Sequence, residues 1–210
     1  MLDRAHETAA ILLRVGAVAI NTQQPFTYTS GITSPIYTDN RLLISYPEER
    51  RRITKLLVSA AEETVGLNNI DVIAGTATAG IPFAAWLADR LQRPMVYVRS
   101  TAKAHGTARQ IEGRLEPNRR VVVVEDLITT GGSSLGTADA LITHGALVPC
   151  CLAIFSYGLE KAKLAYESRH IPLVPLTTLS VLLEVAISAN YTSAADAETV
   201  MTWASSLDHG

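Results

Sequence analysis

The chain has 210 residues, enough for one compact domain with a small addition. Its 48% hydrophobic and 18% charged residues can fill a core, which excludes a disordered chain. A net charge of −2 excludes a general attraction to nucleic acid or acidic membranes, and no apolar stretch approaches the roughly 20 residues that would cross a bilayer.

The opening residues, Met1-Leu2-Asp3-Arg4 with Glu7 soon after, hold no apolar segment with a cleavage site, so cytoplasmic residence is expected. Residues 3–15 bring Ala9, Leu12, Leu13 and Gly16 near one face and predict a helix. A stretch of turn and β-forming residues follows at 24–40, punctuated at Ser30-Gly31 and Ser34-Pro35. Pro47, Glu48 and Glu49 suit a first helical turn, so a helix is predicted from there to about Val65, with Arg50-Arg51-Arg52 on its solvated face. Thereafter strand and helix patterns alternate: strands at 70–75, 94–98, 119–125 and 149–155, helices at 81–91, 133–144, 160–170 and 193–206. The successive valines Val121 to Val124 fit a strand buried on both faces of a parallel sheet. Cys150 and Cys151 are adjacent within an apolar run, so they read as buried thiols. The fold class is therefore α/β, a central parallel sheet flanked by helices, in one domain over 1–210.

The segment from Val121 to Ser134 carries most of the chemistry. It runs strand, Glu125-Asp126, Leu127-Ile128, Thr129-Thr130, Gly131-Gly132, then helix from Ser133. Open α/β sheets place ligands at the carboxy ends of their strands. Glycines let backbone N–H groups approach an anion, and the helix that follows offers unpaired donors and a positive dipole end. Hydroxyls of Thr129, Thr130 and Ser133 add donors without charge. The two acids would repel a phosphate, so they are better placed to accept from neighbouring sugar hydroxyls. No Gly-Lys-Ser/Thr step is present, which disfavours a nucleoside triphosphatase.

Residues 125–134 resemble the phosphoribosyl pyrophosphate (PRPP) signature of the type I phosphoribosyltransferases. Three further segments resemble the orotate-using branch of that family. Residues 26–41, with Ser30-Gly31 and Tyr37, are similar to its N-terminal hood, here assigned to 1–45. Gly75-Thr-Ala-Thr-Ala-Gly80-Ile-Pro82 is similar to the loop that receives pyrophosphate. Arg99-Ser-Thr-Ala-Lys103-Ala-His105-Gly106, followed by Gln110-Ile-Glu112-Gly113, is similar to the mobile catalytic loop.

The resemblance implies transfer of ribose 5-phosphate from PRPP to orotate, giving orotidine 5′-monophosphate and pyrophosphate. It implies that Glu125 and Asp126 hold the ribose, that Leu127, Ile128, Thr129, Thr130, Gly131, Gly132 and Ser133 form the 5′-phosphate loop, and that Thr78 and Ala79 meet the pyrophosphate. Catalysis is expected from Arg99, Lys103, His105 and Asp126, with His105 able to give a proton to the leaving group. Thr129, Ser34 and Tyr37 are expected near orotate; Tyr37 suits either the ring face or a half-buried strand position, and Arg41 either a substrate cation or a surface pair. Mg²⁺ is expected, held mainly by PRPP and water with no dedicated protein ligands. The resemblance also implies a homodimer sharing the loop 99–113 across its interface, with no nucleic-acid or membrane partner.

Thr29, Thr33, Ala79 and Ser100 stand where relatives often carry lysine, which shifts weight onto Arg99, Lys103 and His105. Two other readings remain open at this point: another acceptor, such as a purine base, and a PRPP-sensing regulator without catalysis.

Overall fold

Parallel β-strands at the centre of the chain alternate with helices that cover both their faces. The computed structural model describes residues 3–27, 31, 33–100 and 110–208. Helix α1 (Arg4–Arg14) starts at Asp3, whose carboxylate accepts from His6 N. Short strands β1 (Val18–Ile20) and β4 (Ile36–Thr38) pair antiparallel, as do β2 (Phe26–Thr27) and β3 (Thr33–Ser34) between them. A 3₁₀ helix, Asn40–Ser45, leads into α2 (Pro47–Val65), which has the expected bounds with Pro47 in its first turn.

The main sheet then builds through β5 (Val72–Thr76), α3 (Gly80–Leu91), β6 (Met95–Val98), β7 (Ile111–Glu112), β8 (Val121–Ile128), α4 (Gly132–Thr143), β9 (Cys151–Ser156), α5 (Glu160–Glu167) and β10 (Leu173–Thr178). Helices α6 (Leu179–Ser188) and α7 (Ala194–Ser206) close the described chain. The strand order is β10-β9-β8-β5-β6-β7, parallel throughout except for the β6–β7 pair. The edge hairpin arises because Ile111 and Glu112 pair back onto Val98 and Tyr97, so the feet of the loop 99–113 are strands of the sheet.

Alternation along β8 divides the core. Val122 and Val124 face α1, α2, α3 and α6, while Val121 and Val123 face α4 and Tyr166 of α5. Both cysteines are free and fully buried, as expected. Helix α1 packs on β10 and α6 and contributes Ala9, Ile11 and Leu12 to the main core. Strands β1, β7 and β10, the 3₁₀ helix Asn40–Ser45 and helix α6 were not foreseen. Strand β8 also runs three residues beyond its expected end, because Glu125, Leu127 and Ile128 remain paired to Ala153, Phe155 and Ser156 of β9.

Candidate active site

The carboxy ends of β5, β6 and β8 open on one side of the sheet, and the N-termini of α3 and α4 follow directly from two of them. Two helix dipoles therefore present their positive ends to the same region. After β8 the chain turns through Thr129, Thr130 and Gly131, with Gly131 in the left-handed conformation at φ 80°. A side chain would be strained there, and a Cβ would meet the Tyr166 ring at 2.8 Å. No side chain caps α4, and Thr130, Gly132 and Ser133 are exposed. The first amides of the helix are therefore open to an anion. Thr129 lies half-buried at the base of the turn.

Glu125 and Asp126 occupy the last part of β8 and differ in environment. Glu125 is only 5% exposed. Burial first, then the neighbouring charge of Asp126, pushes its carboxyl well above the usual carboxylate range. Its Oε1 accepts from Asp126 N at 3.1 Å. Burial also raises the Asp126 carboxyl, while a hydrogen bond from Glu125 and the charge of Arg41 oppose the rise. Each carboxyl thus disfavours ionisation of the other, and Asp126 is the more exposed partner. Asp126 does not turn into the core, and Leu127 and Ile128 serve the sheet beneath it.

The second loop, residues 77–79, is held to β6 by Ala77 N donating to Val98 O at 2.9 Å. Its Ala77–Thr78 peptide is cis. Gly80 packs so closely against β8 that a Cβ would collide with the Val124 carbonyl. Ala77, Thr78, Ile81, Tyr97, Arg99 and Ser100 line a hollow of about 350 Å³. Arg99 is therefore beside the loop containing Thr78 and Ala79. Glu112 of β7 holds it, with Nε at 3.4 Å from Oε1. Lys103 and His105 lie outside the described residues, as do Thr29, Ser30 and Ile32. A wider hollow of about 920 Å³ lies on the outer side of α4, lined in part by Arg114, Asp139 and His144. It reaches the end of β6 through Gln110 and Ile111, but neither the acids nor residues 129–133 line it, and geometry favours the place where the acids and the uncapped helix meet as the site.

Across the strand ends stands the hood. Tyr37 is 38% exposed and tilts against Phe26 at 5.8 Å between centroids. Ser34 is fully buried; its hydroxyl donates to Ile36 O and accepts from Ile36 N, so the side chain serves the turn into β4. Arg41 resolves as the partner of Asp39, with contacts of 2.6 and 2.9 Å, and its charge still reaches Asp126.

A family model for the Phosphoribosyl transferase domain matches residues 45–174. The chain is 50% identical over 197 residues to the orotate phosphoribosyltransferase of Listeria monocytogenes, covering 94% of this chain and 93% of that one. It is 44% identical over 210 residues to the orotate phosphoribosyltransferase of Coxiella burnetii, covering 99% of each. The chain belongs to the orotate phosphoribosyltransferase family. A crystal structure of orotate phosphoribosyltransferase from Aeropyrum pernix superposes with a TM-score of 0.75 at 32% identity, covering 88% of this chain and 99% of that one.

For a phosphoribosyltransferase site, two residues were missed in the sequence. Asn40, 1% exposed, donates from Nδ2 to the Asp126 carbonyl at 2.7 Å and so ties the hood to the acid pair. Its Oδ1 has no hydrogen-bond partner among the described residues. Tyr166 lies under Gly131. The signal for Asn40 was its place at the end of the hood segment; Tyr166 carried none, being an ordinary helix aromatic.

Proposed function

We propose that this chain transfers ribose 5-phosphate from PRPP to orotate, in the formation of the pyrimidine nucleotide orotidine 5′-monophosphate. The single observation that carries the reading is the uncapped start of α4 directly after the Glu125–Asp126 pair. The choice of orotate rests on the full-length similarity to orotate phosphoribosyltransferases.

The 5′-phosphate sits on the exposed amides of Gly132 and Ser133, with Thr129 and Thr130 hydroxyls beside them. Asp126 accepts from the ribose hydroxyls. Glu125, whose burial favours its protonated form, limits the negative charge next to the donor and orients Asp126 through its amide. A ring nitrogen of orotate, giving up its proton to water, forms the new bond to the anomeric carbon as the bond to pyrophosphate breaks, pyrophosphate leaving with the electron pair. The sugar gains positive character on the way, which ionised Asp126 favours. Arg99, beside the loop of Thr78 and Ala79, takes the leaving charge, and Lys103 and His105 complete the set. His105 supplies a proton to the departing oxygen. The carboxylate oxygen of Asp126 suits Mg²⁺, a hard cation that keeps several waters and takes few protein ligands. Bound through the donor's own oxygens and water, Mg²⁺ would neutralise pyrophosphate charge beside Asp126.

Thr129 from below and Tyr37 from above form the orotate side, with buried Ser34 supporting the turn that leads to Tyr37. A homodimer sharing the loop 99–113 follows from the resemblance of that segment. The exposed Leu42, Ile44 and Tyr46 on the 3₁₀ helix support a subunit contact near the hood. Cytoplasmic residence accords with the two free, buried thiols. No helix among the described residues is long and apolar enough to cross a membrane.

Release of pyrophosphate from PRPP, measured with orotate and with purine bases as acceptors, tests the reading. Turnover with orotate alone is the expected result. Turnover with a purine base, or with neither, would refute it.

A further inference from the structure

A buried polar chain supports the phosphate turn from below, and the chemistry proposed above does not use it. The Gly131 carbonyl accepts from Leu135 N at 2.9 Å and from Ser134 Oγ at 3.2 Å. A trans peptide sets its C=O and N–H on opposite sides of one plane. Fixing the Gly131 carbonyl into α4 therefore aims the Gly132 N–H outward, where a phosphate would lie.

Ser134 is 1% exposed, and its Oγ lies 2.6 Å from the Tyr166 hydroxyl on α5. The same phenol can donate to Cys151 Sγ on β9 at 3.3 Å, but its single proton goes preferentially to the Ser134 oxygen at 2.6 Å, because sulfur is the weaker acceptor. A serine hydroxyl has one proton to give. When the phenol donates to Ser134, the serine proton is free for the Gly131 carbonyl; when the phenol takes that proton instead, the carbonyl loses it. The Tyr166 ring also fills the space where a side chain at Gly131 would project. One buried tyrosine thus joins the start of α4 to α5 and β9.

We propose that Tyr166 is a positioning residue for the donor: through Ser134 it fixes the Gly131–Gly132 peptide and so the aim of the amides that hold the 5′-phosphate. This rests on the reading of the turn as the phosphate site.

Tyr166→Phe keeps the ring and removes the O–H. PRPP affinity by calorimetry and the KM for PRPP should each weaken about fivefold, the scale of one net hydrogen bond. The KM for orotate and kcat should stay within about twofold of wild type. Ser134→Ala should act in the same direction, and the double variant should be no worse than the worse single one, because both cut one chain. A lowered melting temperature with wild-type PRPP affinity would overturn the proposal, as would equal rises in both KM values. If the phenylalanine variant does not fold, Ser134→Ala decides by the same measurements. A wild type that binds PRPP but does not turn over orotate would defeat the acceptor assignment and leave the calorimetric test intact. A wild type that binds no PRPP would remove both.

Discussion

Glu125 and Asp126 are neighbours in sequence with opposite roles, because a strand sends successive side chains to opposite faces. Glu125 is buried and Asp126 opens to the site. The folded-state pKa of Glu125, about 9, lies above its ordinary value of 4.5. Its stabilising proton is therefore held in full below pH 4.5, and stability falls as pH climbs from there toward 9. Glu125→Gln has no such proton to lose. Its unfolding free energy should match wild type near pH 4.5 and exceed it increasingly as pH rises, by on the order of a few kcal/mol at pH 8, as denaturant titration would measure. A difference independent of pH would show that Glu125 is ionised in the fold. At Lys103, alanine should lower kcat at least tenfold while PRPP affinity changes little, as for a group that acts mainly in the transition state. Weaker PRPP binding with unchanged kcat would remove it from catalysis. Residues 125–134 were legible in the sequence because strand, acids, glycines and helix are contiguous there. The partners that tune them were not: Asn40 and Tyr166 reach the same turn across 86 and 32 residues, and no local pattern encodes such contacts.

Among the elements, helix α2 and the strands around the valine run were legible from Pro47 and from Val121 to Val124. Strand β10 was hidden by Pro175, which reads as a breaker but is tolerated at the sheet's edge. Helix α6 was hidden because Leu-Ser-Val-Leu-Leu-Glu-Val-Ala-Ile is apolar on nearly every side and shows no stripe. Helix α7 was foreseen, but its task was not. Trp203 Nε1 donates to the Thr33 carbonyl of β3 at 2.9 Å, and Asp196 accepts from Thr22. The same indole packs edge-on to Tyr157 at 6.0 Å, and Tyr157 meets Thr38 of β4 at 3.4 Å. The hood is thus braced from the other end of the chain. Trp203→Phe removes one bond to it and should raise the KM for orotate about threefold to fivefold, with PRPP affinity unchanged. Steady-state kinetics varying each substrate in turn would check this; a change confined to PRPP would contradict it.

Over the whole molecule, the two ends of the sheet divide the work. The carboxy ends of the strands carry the site, while the amino ends of β5 and β8 are joined by Asp71 and Arg120. The Asp71 carboxylate takes three bonds from Arg120, at 2.8, 3.0 and 2.8 Å. These hold it well below the usual carboxylate range. Its contribution is present above the ordinary value of 3.8 and is lost as pH falls through the lowered one. The pair is partly open to water, so Asp71→Asn should cost only about 1 kcal/mol at neutral pH. Denaturant titration should show that loss with both KM values and kcat unaltered. A change in kinetics would mean that the two ends are coupled.

The brace from α7 also sets an order of events during synthesis. A chain leaving the ribosome has made the donor turn and α4 by Thr143, whereas Trp203 follows about 60 residues later, roughly 3–12 s at ordinary elongation rates. Until then Thr33 lacks its indole partner, so the segment around β3 is the last part of the fold to be braced.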